Sequence, residues 1–301
     1  MDAVDPPDAF ERPLAYDPPA ANETLEEARA RNVRDAPRED VGTGDWTAQL
    51  VPRGPAIARV RVREDAVLCG RDWFEACVLA LDPAARIAWC YDEGADMAAD
   101  TAVCDLHGEA RALLTAERPA LNFLQLLSAT ATLTRQHVRA IEGASPKPRG
   151  CAIFDTRKTI PGLRQAQKYA VRVGGGRNQR LALWHGILVK ENHIVAAGGV
   201  AAAVERAYAL GAGVEIQVEV ETLDQLGEAL DAGAASVLLD NFTLERMREA
   251  VALTAGRAQL EVSGGVTLEH VREIASTGVD RISIGALTKD VRAVDYSMRF
   301  V

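Results

Sequence analysis

Six apolar runs in the second half of this sequence each end in residues that can handle anions or metal ions. Asp155-Thr156-Arg157-Lys158 closes one run and Lys190-Glu191-Asn192-His193 another. Glu219 and Glu221, Asp240-Asn241, Ser263-Gly264-Gly265 and Ser283-Ile284-Gly285 close the rest. Arginine and lysine clusters grip carboxylates and phosphates. Two carboxylates suit a magnesium ion whose remaining ligands come from substrate. Serine and glycine after a strand let backbone N–H groups approach a phosphate. One polar strand end is only a turn, but six sorted in this way read as a site.

Charge distribution supports that reading. The 301-residue chain carries 34 basic and 43 acidic residues, a formal net charge of −9. Yet Lys147 to Lys190 holds ten basic residues and one acid, Asp155. Such focusing draws a small, highly anionic ligand. The acidic total argues against nucleic-acid binding, which needs surplus positive charge facing phosphates. No run approaches the length of a membrane span. The proline-rich acidic start has neither the basic nor the apolar region of a signal peptide, so a cytoplasmic protein with a mobile arm over 1–35 is expected. Cys69, Cys77, Cys90, Cys104 and Cys151 are widely spaced and form no CxxC pair, which predicts free thiols rather than zinc ligands or disulfides.

The elements that must position these residues come in two kinds. Up to about residue 142 the pattern is mixed. Leu25–Asn32 and Trp73–Leu81 look helical, Ala56–Arg63 alternates like a strand, and Met97–Leu114 suggests strands around a turn at His107-Gly108. A long helix is expected from Pro119 to Ile141, burying Leu121, Leu124, Leu127, Leu133 and Val138. From Cys151 a βα rhythm takes over. Its strands are Cys151–Phe154, Leu181–Val189, Val214–Val220, Ser236–Leu239, Gln259–Val262 and Arg281–Ile284; its helices fall near 161–173, 196–211, 222–232, 243–255 and 267–277. That order predicts a parallel sheet, open or barrel-like, with chemistry at the strand C-termini. In the third strand Glu215, Gln217, Glu219 and Glu221 share one parity, so they face the interior together, with Lys158, Lys190 and Asp240 as partners. Gly174-Gly175-Gly176 precedes no dinucleotide-type helix and reads as a flexible loop.

These segments closely resemble the quinolinate phosphoribosyltransferases. The resemblance rests on Glu117-Arg118-Pro119-Ala120-Leu121-Asn122, Asp155 to Thr159, Pro161 to Arg164, Lys168 to Arg172, the triple glycine, Val189 to His193, the Val-Glu-Val-Glu strand, Leu239-Asp240-Asn241, Ser263-Gly264-Gly265 and Gly278 to Ser283. It runs from about Glu39 to the C-terminus. It implies an α/β fold: an N-terminal α/β sandwich domain (36–142, rejoined by 290–301) beside an incomplete, open parallel α/β barrel (143–289). The implied reaction joins quinolinate to phosphoribosyl pyrophosphate (PRPP) with Mg²⁺, giving nicotinate mononucleotide, pyrophosphate and CO₂ in NAD synthesis. Also implied is a homodimer or hexamer, with Arg118 contributed across the interface.

By match to the family, Arg118, Thr156, Arg157, Lys158, Gln179, Arg180 and Lys190 would hold quinolinate. Lys158, Ser263, Gly264, Gly265, Ser283, Ile284 and Gly285 would take PRPP phosphates. Glu219 and Asp240 would bind the metal, and these two with Lys158 and Lys190 form the catalytic group. One departure is Gln179, where the family has histidine between Asn178 and Arg180. Glutamine donates hydrogen bonds but carries no charge, which weakens quinolinate binding or broadens the substrate. A second is Trp184-His185, read as packing rather than chemistry. Two alternatives stay open: a Schiff-base aldolase or decarboxylase using Lys158 or Lys190, and a relative of the molybdate-transport-associated type that binds another anion.

Overall fold

Thr24 and Glu27 start the first helix by capping each other. The Thr24 hydroxyl accepts from the Glu27 N–H at 3.1 Å, and the Glu27 carboxylate accepts from the Thr24 N–H at 2.8 Å. The computed structural model describes residues 22–301, and helix α1 (Leu25–Val41) is its first element. Ala28, Asn32 and Val33 of α1 are buried. The arm expected over 1–35 therefore cannot reach residue 35; its first 21 positions lie outside the described residues.

A four-stranded antiparallel sheet follows, built from β1 (Pro55–Val62), β3 (Arg86–Trp89), β5 (Ala102–Glu109) and the returning β12 (Tyr296–Phe300) in the order β12-β1-β5-β3. The short pair β2 (Ala66–Val67) and β4 (Asp96–Met97) lies apart from it. Helix α2 (Arg71–Leu81) buries Trp73, Phe74, Cys77 and Val78. The turn expected at His107-Gly108 does not occur. Strand β5 runs through both residues, pairing them with Ile57 and Ala56 of β1.

Helix α3 (Ala110–Ala140) starts ten residues or so earlier than expected. The Glu109 side chain caps it by accepting from the Ala112 N–H at 2.9 Å, and Pro119 sits inside, buried. The proline thus marks no start; it rests in a helix held by tertiary contacts. Leu113, Leu121, Leu124 and Leu127 of α3 pack in the first core, whereas Leu133 and Val138 pack on the second. One helix braces both units.

The second unit is a six-stranded parallel sheet. Its strands are β6 (Ala152–Phe154), β7 (Gly186–Val189), β8 (Glu215–Val220), β9 (Ser236–Asp240), β10 (Gln259–Ser263) and β11 (Arg281–Ser283). They are ordered β6-β11-β10-β9-β8-β7, so β6 and β7, consecutive in the chain, form the two edges and the barrel stays open between them. Helices α4 (Arg164–Val173), α5 (Glu191–Ala197), α6 (Val200–Ala209), α7 (Leu223–Asp231), α8 (Leu244–Thr254), α9 (Val271–Ser276) and the short α10 (Ala286–Lys289) connect them. Val218 and Val220, on the outward parity of β8, are fully buried in the helix-covered core with Val204 and Leu226. The stretch Leu181–His185 is not strand; β7 begins only at Gly186. Among the described residues no helix is long and apolar enough to cross a membrane.

The triple glycine is not a slack loop. A Cβ on Gly174 would lie 2.5 Å from the Ala131 carbonyl oxygen and 2.6 Å from Thr134 Cβ, and one on Gly176 would lie 2.7 Å from Thr134 Cγ2. Only glycine lets this turn press against α3, where Arg135 Nε also donates to the Gly174 carbonyl at 3.0 Å.

Candidate active site

Lys190 and Glu219 meet across the C-terminal ends of β7 and β8. Lys190 Nζ lies 2.9 Å from one Glu219 oxygen and 3.2 Å from the other. Glu219 is largely covered, with 14% of its side chain exposed, while Lys190 reaches toward solvent. One strand further, Asp240 ends β9, and its carboxylate accepts from Asn241 Nδ2 at 2.9 Å. Among the described residues no cation pairs with Asp240. Asn241 adopts the left-handed conformation at φ 56°, which asparagine tolerates.

The expected interior row on β8 is only partly realised. Gln217 and Glu219 face inward. Glu215, at the strand's N-terminal end, pairs with Arg281 of β11 at 2.8 Å. Glu221 lies beyond the strand, exposed, its N–H bonded to the Gln225 side chain at 2.8 Å. Nor does Lys158 serve as a counter-ion; no carboxylate among the described residues pairs with it.

Two arginines gather without an acid between them. Arg157 Nε is buried and has no hydrogen-bond partner among the described residues. Arg180 donates to the Gly186 carbonyl at 2.9 Å. Its guanidinium is pushed below its ordinary pKa by burial and by Arg157, with Glu219 opposing. Like charges held together with an unsatisfied donor call for an anion. Lys158 sits beside them: the Thr288 hydroxyl donates to its carbonyl at 2.7 Å, and its own N–H donates to Thr156 Oγ1 at 3.1 Å.

Behind this face is a fully buried ion pair. Lys168 Nζ and Asp155 are in hydrogen-bond contact with both side chains wholly covered. Asp155 also accepts from Asn178 Nδ2 at 2.7 Å and from the Gln179 N–H at 2.9 Å. Lys168 donates to the Gln179 carbonyl at 3.0 Å. The one acid of the basic stretch is thus consumed inside the fold, where it fixes the turn that presents Gln179 and Arg180. Lys168, counted with the ligand-attracting cations on sequence grounds, neutralises Asp155 instead.

The two candidate phosphate loops differ. Gly264 has φ 99°, and a Cβ there would run into Asn241 Oδ1, with Asp240 Oδ1 at 3.3 Å. Gly265, at φ 61°, has nothing within 4 Å of the same position, so its backbone is open to a ligand. The second loop is largely spoken for. The Ser283 hydroxyl donates to buried Glu261, and the Ile284 N–H donates to the Phe154 carbonyl at 2.9 Å. That leaves Gly285, where a Cβ would lie 3.2 Å from Lys158 Cδ, as the position of this loop beside Lys158. The Ser283 hydroxyl proton and the Ile284 N–H already have partners inside the fold.

Arg118 stands apart from these groups. It lies on α3 with 53% of its side chain exposed, and its ionic neighbour is Glu117 at 3.5 Å. His185 closes a turn: its Nδ1 accepts from the Leu181 N–H at 3.2 Å, and its ring packs edge-on against Trp184. That agrees with packing rather than chemistry. A cavity of about 330 Å³ lies to one side, lined by Glu23, Arg31, Thr159, Arg164, Gln165 and Trp184 among others. It shares none of the Lys190, Glu219 and Asp240 cluster. The residue sequence reasoning missed is Glu261 on β10, 1% exposed and holding Ser283 and Gln217 together. The alternation Gln259, Glu261, Ser263 was its visible signal.

Two family descriptions match the chain: "Quinolinate phosphoribosyl transferase, N-terminal domain" over residues 45–128 and its C-terminal counterpart over 130–299. The chain is 40% identical over 262 residues to the probable nicotinate-nucleotide pyrophosphorylase [carboxylating] of Bacillus subtilis, covering 86% of this chain and 89% of that protein. It is 38% identical over 283 residues to the Mycobacterium leprae nicotinate-nucleotide pyrophosphorylase [carboxylating], covering 90% and 97%. A solved nicotinate-nucleotide pyrophosphorylase from Francisella tularensis superposes with a TM-score of 0.87 at 43% identity, covering 91% of this chain and 96% of that one.

Proposed function

The chain belongs to the quinolinate phosphoribosyltransferase family, and from that premise we infer its reaction: transfer of the phosphoribosyl group of PRPP to quinolinate, with loss of CO₂, to give nicotinate mononucleotide. The observation that carries this assignment is the pairing of two unlike clusters at one end of the sheet. Among the described residues no carboxylate forms an ion pair with Arg157 or Arg180, and Glu219 and Asp240 lie at the ends of the adjacent strands β8 and β9. A dicarboxylate acceptor answers the first cluster. A cationic ribosyl centre and a metal–pyrophosphate unit answer the second.

The roles follow from charge. Arg157, Arg180, Lys158 and Lys190 hold the two carboxylates of quinolinate, helped by Thr156, Gln179 and the Arg118 of a neighbouring subunit in a homodimer or larger assembly. The ring nitrogen attacks C1 of the ribose as the C1–oxygen bond to pyrophosphate breaks. Glu219 and Asp240 face the positive charge that develops on the ribose. The pyridinium formed then takes the electron pair of the breaking C–CO₂ bond, and a proton replaces the lost carboxylate. The ring supplies its own electron sink, so no acid–base dyad is required. Ser263, Gly264, Gly265, Gly285 and Lys158 receive phosphate groups of PRPP through backbone N–H and ammonium donors.

The donor set fits Mg²⁺. Glu219 and Asp240 are carboxylates on neighbouring strands, and two carboxylates plus substrate phosphates are the usual shell of this ion. Among the described residues no group of three or more His, Cys, Asp or Glu could hold a metal alone. When bound, the ion would neutralise the departing pyrophosphate. Lys190, salt-bridged to Glu219, keeps that carboxylate oriented before substrate arrives.

The Schiff-base alternative fits poorly, because Lys190 is already paired with a carboxylate and is not desolvated among apolar groups. The anion-binding relative is likewise not favoured by the comparisons. Free thiols, three of them buried, suit a reducing cytoplasm. Chromatographic identification of the product tests the assignment. Nicotinate mononucleotide formed only when both substrates are present supports it; a different nucleotide, or none from folded protein, contradicts it.

A further inference from the structure

The loop that carries Arg157 and Lys158 has no regular structure of its own, since residues 155–160 lie between β6 and α4 and belong to neither. Two buried side chains supply bonds that shape it. Gln167 of α4 accepts from the Ile160 N–H at 2.8 Å through Oε1 and donates to the Thr288 carbonyl at 2.7 Å through Nε2. Thr288, on α10, donates its hydroxyl to the Lys158 carbonyl at 2.7 Å. Gln167 and Thr288 are both 0% exposed.

The direction of each bond is fixed by its partner. A backbone N–H can be met only by the amide oxygen of Gln167, and a carbonyl only by its NH₂, so the amide has one orientation. The single hydroxyl proton of Thr288 goes to the Lys158 carbonyl. Removing any of these donors or acceptors leaves a backbone group short of its partner, which is costly where water is excluded. Thr288 also belongs to a turn that touches Lys158 a second time. Its N–H bonds the Gly285 carbonyl at 3.3 Å, and the stem of Lys158 passes over Gly285 with Cδ 3.2 Å from where a Cβ would stand. The turn from Gly285 to Thr288 thus meets Lys158 at its main chain and along its side chain. An ammonium on a flexible four-carbon stem is aimed by the place where that stem leaves the backbone.

We infer that Thr288 and Gln167 are positioning residues that hold the Lys158 loop in register with the loop after β11, so that the Lys158 ammonium and the Gly285 backbone meet one phosphate group together. The inference rests on the PRPP reading of the site and adds two residues to it. Both are buried and neither touches substrate. Their effect on binding passes through Lys158, by removing slack that the ligand would otherwise have to take up.

Equilibrium binding of PRPP with Mg²⁺, followed by titration calorimetry, reads this effect without turnover. Phthalate, a dicarboxylate with no ring nitrogen to react, fills the acceptor site throughout. The variants are Thr288→Val, Thr288→Ser and Gln167→Met, each made also in a Lys158→Ala background. Thr288→Val removes the donor and should weaken PRPP binding about threefold to tenfold, the worth of one ordinary hydrogen bond. Gln167→Met should weaken it in the same direction, whereas Thr288→Ser keeps the hydroxyl and should recover the loss. Without the Lys158 side chain, none of the three should weaken binding further. A purely structural role predicts instead a lower melting temperature with PRPP affinity unchanged in the folded protein. Unchanged affinity in Thr288→Val, or the same loss with and without Lys158, would overturn the proposal. If Gln167→Met does not fold, Thr288→Val alone decides by the same criterion. Wild-type protein that binds no PRPP would be a different failure, that of the underlying reading.

Discussion

Lys190 and Glu219, on neighbouring strands, close a 2.9 Å salt bridge at the mouth of the open barrel. The contact joins the cationic side of the proposed site to the acidic side. In the proposed reaction Lys190 would extend the arginine cluster that takes quinolinate, and Glu219 would join Asp240 at the pyrophosphate end. Each fixes the position of the other's charged end at the boundary between the two sides.

Removing either acid should stop the chemistry and spare the fold. Glu219→Ala and Asp240→Ala are expected to lower kcat about 100-fold or more, with circular dichroism and melting behaviour close to wild type. Both carboxylates sit at strand ends and not in the apolar core. A double variant with near wild-type turnover would refute the metal and transition-state roles.

Arg118→Ala should raise the quinolinate KM more than the PRPP KM. Because Arg118 is exposed and apart from the other site residues of its own chain, it is expected to serve a neighbouring subunit. Mixing Arg118→Ala with Glu219→Ala subunits should then recover activity at low quinolinate, since one shared site regains both residues. No recovery after verified subunit exchange counts against the cross-subunit role.

The buried Asp155–Lys168 pair should matter for stability first. Asp155→Asn leaves the Lys168 ammonium buried without its counter-charge, at a cost of about 3–5 kcal/mol. Urea denaturation followed by fluorescence measures this directly. A loss under about 1 kcal/mol would show that the lysine is readily neutralised or hydrated in place.

Burial holds the Glu261 carboxyl above its ordinary value of 4.5, with Ser283, Gln217 and Arg281 opposing. Losing this proton therefore costs the folded protein more than it costs the unfolded chain. The resulting stability is present below about pH 4.5 and fades as pH rises through the folded value. Glu261→Gln cannot titrate, so its stability relative to wild type should improve as pH rises above about 4.5. A difference that does not change with pH would mean that folding leaves the Glu261 carboxyl unshifted.

Much of this site is legible in the sequence because strand periodicity is local. The parity of Gln217 and Glu219 on β8, and the polar ends of β6 to β9, follow from residue order alone. The βα rhythm similarly foretells the parallel sheet. What sequence leaves out is set by contacts across long separations. Ser283 reads as a phosphate ligand until β10 brings Glu261 beneath it. Gly174 and Gly176 read as slack until α3 is found pressed against them. Pro119 reads as a helix start because tertiary support for an interior proline has no local signature. Asp155 and Lys168 look like one acid and one more cation until burial makes them a pair.

Phosphoribosyl transfer and decarboxylation at this site are one coupled reaction. Its most direct test is the stoichiometry of CO₂ and pyrophosphate released from quinolinate and PRPP by the purified protein, with and without Mg²⁺. The assignment predicts equal amounts of both products, released only with the metal and both substrates present. Pyrophosphate without CO₂, or neither product from folded protein that binds PRPP, would contradict it.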